Sequence, residues 1–201
     1  MERERQYQAR RESIVEAAMA CFVQRGFHAT SMRDVAQAAG VSLGNLYNYF
    51  TGKDALIAEV ATQEQHELHP LVAALETARP TRALIRDVLA SYWSLCSEPA
   101  WGLLSAECLL EIARRPALAP HVDANRRRLV DALANAVERG AACGQFGTGA
   151  PAAVIAQVLL DAVESDALRA ALAPDGQGRR AACDILHPAL LAALLPPCAP
   201  T

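Results

Sequence analysis

A chain of 201 residues suits a small head with a larger body, and a composition of 52% hydrophobic but only 5% aromatic residues, rich in alanine and leucine, argues for helix and against sheet. The formal net charge of −3 excludes a wholly basic nucleic-acid coat, yet residues 1–53 hold seven Lys or Arg against five Asp or Glu, while residues 54–201 hold twelve against seventeen. A basic head on an acidic body fits a local DNA footprint.

About nine helices are expected from the punctuation. The first is predicted over roughly 6–25, with Ile14, Ala18, Cys21 and Phe22 as its buried stripe. Gly26 ends it. The second is predicted over Ser31–Ala39, where Ser31 and Asp34 have the spacing of a capping box. Met32, Val35, Ala36 and Ala39 form its apolar face, and Gly40 stands where a left-handed C-cap is needed. Val41 reads as a buried turn residue, and Ser42 as the cap of a short third helix over Leu43–Tyr49. Leu46 and Phe50, four apart, face inward, so Tyr47, Asn48 and Tyr49 point elsewhere. A long fourth helix near Lys53–Thr77 begins the body.

Two short helices joined by a glycine-containing turn are the helix-turn-helix arrangement, whose second helix enters the major groove. The residues agree over a continuous stretch. Gly26-Phe27-His28-Ala29-Thr30-Ser31-Met32-Arg33-Asp34-Val35-Ala36 leads into Ala39-Gly40-Val41-Ser42, followed by Leu46-Tyr47-Asn48-Tyr49-Phe50 and Lys53-Asp54-Ala55-Leu56. Over residues 10–60 the chain closely resembles the N-terminal domain of the TetR family of transcription regulators. Beyond residue 60 the likeness is one of length and helical layout.

The resemblance implies a DNA-binding head over residues 1–52 and a helical ligand-binding and dimerisation domain over 53–201. It also implies roles for single residues. Ser31 and Arg33 lie at the start of the second helix, where Arg33 reaches a base or phosphate. Leu43, Gly44 and Tyr47 fall at base-facing positions, and Ser42, Asn45, Asn48, Tyr49 and Lys53 at phosphate-contacting ones. The chemistry is compatible: hydroxyl, amide and ammonium donors suit phosphate oxygens, and an apolar side chain suits a thymine methyl. Leu43 stands where family members often place a polar residue, and Gly44 offers no side chain, so base reading falls on Arg33, Tyr47 and apolar contact. Arg3, Arg5, Arg10 and Arg11 suit a minor-groove arm, but interleaved Glu2, Glu4 and Glu12 make a solvated terminus an equal reading.

In the body, Ala156, Leu159, Leu160 and Val163 mark one side of a helix over Pro151–Leu172, and Val154, Ile155, Val158 and Ala162 cover much of the rest. A helix apolar nearly all round is covered on both sides, and a second subunit is the natural cover. Ile185–Leu195 adds a further apolar segment, with Pro188 expected to kink it or delay its start. Trp101–Ala113 is strongly apolar through Leu103, Leu104, Cys108, Leu109, Leu110 and Ile112, interrupted by Glu107 and Glu111 four apart. Two carboxylates on a buried helix need a partner. Arg126, within the stripe Val122, Leu129, Leu133 and Val137, is the expected salt-bridge partner, with a ligand site as the alternative. Arg127 and Arg128 are expected in solvent. Leu89, Trp93 and Cys96, with Tyr92 alongside, make an inward stripe. The candidate ligand residues are therefore Tyr92, Trp93, Cys96, Trp101, Leu104, Glu107, Cys108, Glu111 and Arg126.

No cofactor or metal is expected: His66 and His69 lie three apart without a third ligand at suitable spacing. No GxSxG, GxxxxGK[ST], HExxH or GxGxxG element is present, which argues against an enzyme, although a reactive Cys108 beside Glu107 stays open. The six cysteines form no CxxC pair and read as free thiols in a reducing, cytoplasmic setting. No apolar run reaches the ~18 residues of a membrane span. The expected function is a ligand-responsive repressor that binds a palindromic double-stranded DNA operator as a homodimer and is released by a small-molecule effector. The alternatives are an activator, or a helical enzyme with an accessory DNA-binding head.

Overall fold

A computed structural model of the chain describes residues 2–115, 123–172 and 188–198. Every regular element among them is a helix. In chain order these are α1 (Glu2–Arg25), α2 (Met32–Ala38), α3 (Leu43–Tyr47), α4 (Lys53–Thr77), α5 (Arg82–Cys96), α6 (Pro99–Arg114), α7 (Ala124–Ala142), α8 (Ala152–Ala171) and α9 (188–194). Val122, Cys183 and residues 185–187 of the expected last segment lie outside the described residues, and Pro188 stands at the first described position of α9.

The chain forms two compact units. One comprises residues 1–65 with 103–123, and the other residues 66–102 with 124–201. α4 therefore contributes to both units, and so does α6. Residues 53–65 of α4 and 103–114 of α6 thus fall in the unit with the helix-turn-helix, whereas the sequence reading begins the body at Lys53.

The first unit is built on a core of Ile14, Val15, Ala18 and Phe22 from α1, Val35 and Ala36 from α2, Leu46 and Phe50, and Leu56, Ile57 and Val60 from α4. Leu104 completes it, and Cys108 packs against it. α1 begins at Glu2, earlier than its apolar stripe requires, because its first two turns are exposed and charged. Val41 is half-buried, with Ala36 accepting its backbone N–H at 3.0 Å.

In the second unit α7 and α5 pack against α8. Leu89, Tyr92, Trp93 and Cys96 meet Leu129, Leu133 and Val137, and Ile155, Ala156, Leu159, Leu160 and Val163 close the same core. Leu191 and Leu195 add the contribution of the C-terminal segment. The expected apolar coat of α8 divides cleanly: Ile155 is buried, while Val154 and Val158 are exposed. On α6, Leu109 and Leu110 are exposed, whereas sequence reasoning counts them with the buried apolar set.

Candidate nucleic-acid interface

The head presents α2 and α3 through local hydrogen bonds. The Ser31 hydroxyl accepts from the Asp34 N–H at 3.2 Å, and Asp34 Oδ2 accepts from the Ser31 N–H at 2.8 Å, so the capping box is complete. The Ser31 hydroxyl, which donates to Asp34 Oδ2 at 2.5 Å, and then the Ser31 N–H hold the Asp34 carboxyl below its ordinary pKa, and Arg25 adds an ion pair at 2.8 Å. Gly40 follows the Ala39 C-cap with a φ of +64°, the left-handed conformation a chain reversal requires there. The Ser42 hydroxyl then accepts from the Asn45 N–H at 3.1 Å and starts α3.

Between these caps, Leu46 is fully buried and Phe50 is 2% exposed, which fixes the roll of α3. The opposite side is open: Ser42, Gly44, Asn45, Tyr47 and Asn48 are exposed, as are Ser31 and Arg33 on α2. Leu43 is half-buried. Tyr47 leaves 49% of its surface in solvent, an unfavourable position for a tyrosine that had only to pack. Tyr49 behaves differently. It is half-buried and stacks on Tyr7 of α1, ring centroids 4.7 Å apart.

Lys53 is tied inward. Its ammonium donates to the carbonyls of Phe27 at 2.6 Å, Thr30 at 2.8 Å and His28 at 3.3 Å, and lies 4.5 Å from the centroid of the Phe27 ring. Burial lowers its pKa. An ammonium has three protons, and all three are directed at the turn between α1 and α2. Lys53 is thus a strut of that turn, a duty its family position does not reveal.

The same turn is held from α6. Glu107 Oε2 accepts the Phe27 N–H at 2.7 Å. Gly26 has a φ of +80°, and a Cβ there would stand 3.2 Å from both Glu107 oxygens, so the glycine admits the carboxylate. Glu111 accepts from Arg115 Nε at 2.5 Å, and Arg115 reaches Asp54 at 3.0 Å and the Phe27 ring at 5.9 Å. The second oxygen of Glu111 is buried with no hydrogen-bond partner among the described residues.

These contacts correct the expected pairing of the α6 carboxylates with Arg126. Arg126 instead donates to Glu164 at 2.9 and 3.0 Å and to Asp161 at 2.5 Å, both on α8. Glu164 also accepts from the Tyr92 hydroxyl at 2.8 Å, and Trp93 Nε1 donates to Asp166 at 2.9 Å. Burial, with Cys96 and Glu164 beside it, raises the Tyr92 phenol far above its usual pKa. Of the candidate ligand residues, Leu104, Glu107, Cys108 and Glu111 fall in the unit with the helix-turn-helix, and Tyr92, Trp93, Cys96, Trp101 and Arg126 in the other. The Cys108 thiol is pushed up to about 12, chiefly by burial and then by Glu64, Glu107 and Glu111, so it stays protonated and unreactive near neutrality. His66 and His69 are exposed, and no metal-holding group of side chains occurs among the described residues.

The family described as "Bacterial regulatory proteins, tetR family" matches residues 14–60. The HTH-type transcriptional repressor KstR2 of Mycobacterium tuberculosis is 29% identical over 140 residues, 67% of this chain and 70% of the relative. The HTH-type transcriptional regulator UidR of Escherichia coli is 27% identical over 158 residues, 77% of this chain and 78% of the relative. Among solved structures, Salmonella enterica GusR is 25% identical with a TM-score of 0.77, over 93% of this chain and 95% of that one. The fold is shared with Bacillus subtilis FadR in complex with stearoyl-CoA, 15% identical with a TM-score of 0.75 over 94% and 99% of the two chains. It is shared too with SmeT in complex with triclosan, 24% identical with a TM-score of 0.77 over 93% and 92%. The exposed second helix of a capped helix-turn-helix, the matched family domain around it and relatives aligned far beyond it agree: the chain belongs to the TetR family of bacterial transcription regulators.

Proposed function

We propose that the protein is a cytoplasmic repressor that binds a palindromic operator as a homodimer and leaves it when a small molecule binds the body. The observation that carries the reading is the open side of α3. Asn45, Tyr47 and Asn48 stand in solvent while Leu46 and Phe50 lock the helix from behind. Arg33 and Tyr47 read bases. Ser42, Asn45 and Asn48 donate to phosphates, which set register without carrying sequence information. Tyr49 joins them from its stack on Tyr7. Lys53 supports the interface through the turn it braces, and its contribution to DNA affinity is chiefly positional.

The dimer forms through α8 and α9. Val154, Val158 and Leu172 are 50%, 40% and 57% exposed, and their spacing places them on one stripe of α8 and its C-cap. Such a stripe is what a second subunit covers. Repression is the sign borne by the relative named KstR2. An effector acts by favouring one arrangement of the two heads. α6 is suited to transmit it, because Glu107 holds the Phe27 backbone of the head directly.

The test is a thermal-shift screen of small molecules on the full-length chain, followed by operator release. A compound that raises the melting temperature and displaces the protein from its operator supports the reading. Stabilising compounds that all leave DNA affinity unchanged overturn the effector part of it.

A further inference from the structure

The face of α1 that the helix-turn-helix core does not bury has a chemistry of its own. Residues 3, 6, 7, 10 and 13 recur at helical spacing and so share one face. That face holds the donors Arg3, Gln6, Tyr7, Arg10 and Ser13 with Ala9 among them, and no carboxylate is among the residues that line it. Glu12 and Glu16 fall on other faces of the helix, and Glu4 is engaged by the Gln8 amide at 3.2 Å. Glu2 stands at the edge, its carboxylate engaged by the Gln6 amide at 3.5 Å.

The face and Tyr49 line an open groove of about 630 Å³. Tyr7 and Tyr49 stack within it at an interplanar angle of 24°. Tyr49 comes directly after Asn48, the C-cap of α3, so the groove continues the surface that Tyr47 and Asn48 open. Its arginines differ from their neighbour Arg11, which is bonded to Glu59 and lies 5.0 Å from the Phe50 ring centroid. Arg3 and Arg10 are exposed and carry no ion pair among the described residues.

We propose that this groove is a second DNA-binding site, which receives the sugar–phosphate backbone flanking the half-site read by α3. Arg3 and Arg10 each neutralise one phosphate, and Gln6, Ser13 and the tyrosine hydroxyls supply further donors. An arginine fork matches the geometry of phosphate oxygens. An open groove suits a polymer backbone that passes through it, whereas a small anion is held in an enclosed pocket. The site adds affinity and register and carries no sequence preference. The proposal rests on the helix-turn-helix reading above.

The experiment uses the full-length protein and an operator selected by it from random duplexes. Binding is followed by fluorescence anisotropy from about 0.05 to 0.3 M salt, and each phosphate neutralised contributes about 0.9 to the slope of log affinity against log salt. Arg3→Gln with Arg10→Gln should lower that slope by about 1.8 and the affinity on the order of tenfold. The preference for operator over random DNA and the melting temperature should stay as in the wild type. Arg5→Gln, exposed on another face of α1, should change the slope little. Trimming the duplex outside the half-sites should lower the wild-type slope and leave the double variant's unchanged. A double variant with the wild-type slope, or an Arg5→Gln loss of equal size, overturns the groove. A wild-type chain that selects no operator refutes the helix-turn-helix reading itself.

Discussion

Tyr47 and Lys53, six positions apart, take opposite duties. Tyr47 is turned outward, so on the proposed function its truncation removes a base contact and almost nothing from the fold. Tyr47→Ala should leave the thermal melt unchanged and reduce operator affinity by about 1–3 kcal/mol, with a smaller loss on random DNA. Equal losses on the two DNAs would remove it from the base readers. Lys53 is turned inward onto three carbonyls of one turn. Lys53→Ala should therefore destabilise the head by roughly 1–3 kcal/mol in a denaturant titration and weaken binding to every sequence alike. A variant that loses DNA affinity with its stability intact would instead make Lys53 a direct phosphate contact.

At the scale of elements, the capping box of α2 and the turn before it organise the interface. Ser31→Ala should cost about 1 kcal/mol of stability. The Asp34 carboxyl has a folded pKa below its unfolded one. Its contribution is thus complete above the unfolded value and is lost as pH falls through the folded one. Melting temperatures of Asp34→Asn should accordingly fall less steeply than wild type between about pH 5 and pH 3, and parallel curves would deny Asp34 that part. The turn from α1 depends on Gly26. Gly26→Ala should destabilise by about 1–2 kcal/mol from the left-handed backbone alone, with crowding of Glu107 added. Circular-dichroism melts of Gly26→Ala and of Glu107→Ala, which leaves the Phe27 N–H without its acceptor, measure the two halves of the clasp separately.

For the whole molecule, the proposed dimer rests on the exposed apolar residues of α8, Val154 and Val158. Val158→Asp should shift light scattering toward monomer at micromolar concentration and weaken operator binding, because two heads no longer bind together. A wild-type chain that is monomeric at that concentration would contradict the stripe's role. Much of this architecture was legible in the sequence. The caps at Ser31 and Ser42, Gly40 at positive φ, and the inward pair Leu46 and Phe50 follow from local rules that need no tertiary information. What the sequence left open was long-range. Periodicity places Glu107, Glu111 and Arg126 on inner faces but cannot choose among distant partners. The structure pairs Glu107 with a backbone amide 80 residues away, and Arg126 with Glu164, 38 residues away. The N-terminal arginines had the same limit: only the fold separates paired Arg11 from Arg3 and Arg10 on the groove.

The claim on which the rest depends is that the outward side of α3 reads DNA, and selection of random duplexes by the full-length protein tests it most directly. The account predicts enrichment of one roughly palindromic sequence, with half-sites about one helical turn apart or slightly more, and loss of that enrichment in Tyr47→Ala while weak binding to random DNA persists. No enriched sequence with the wild-type protein, or the same enrichment with Tyr47→Ala, would contradict it.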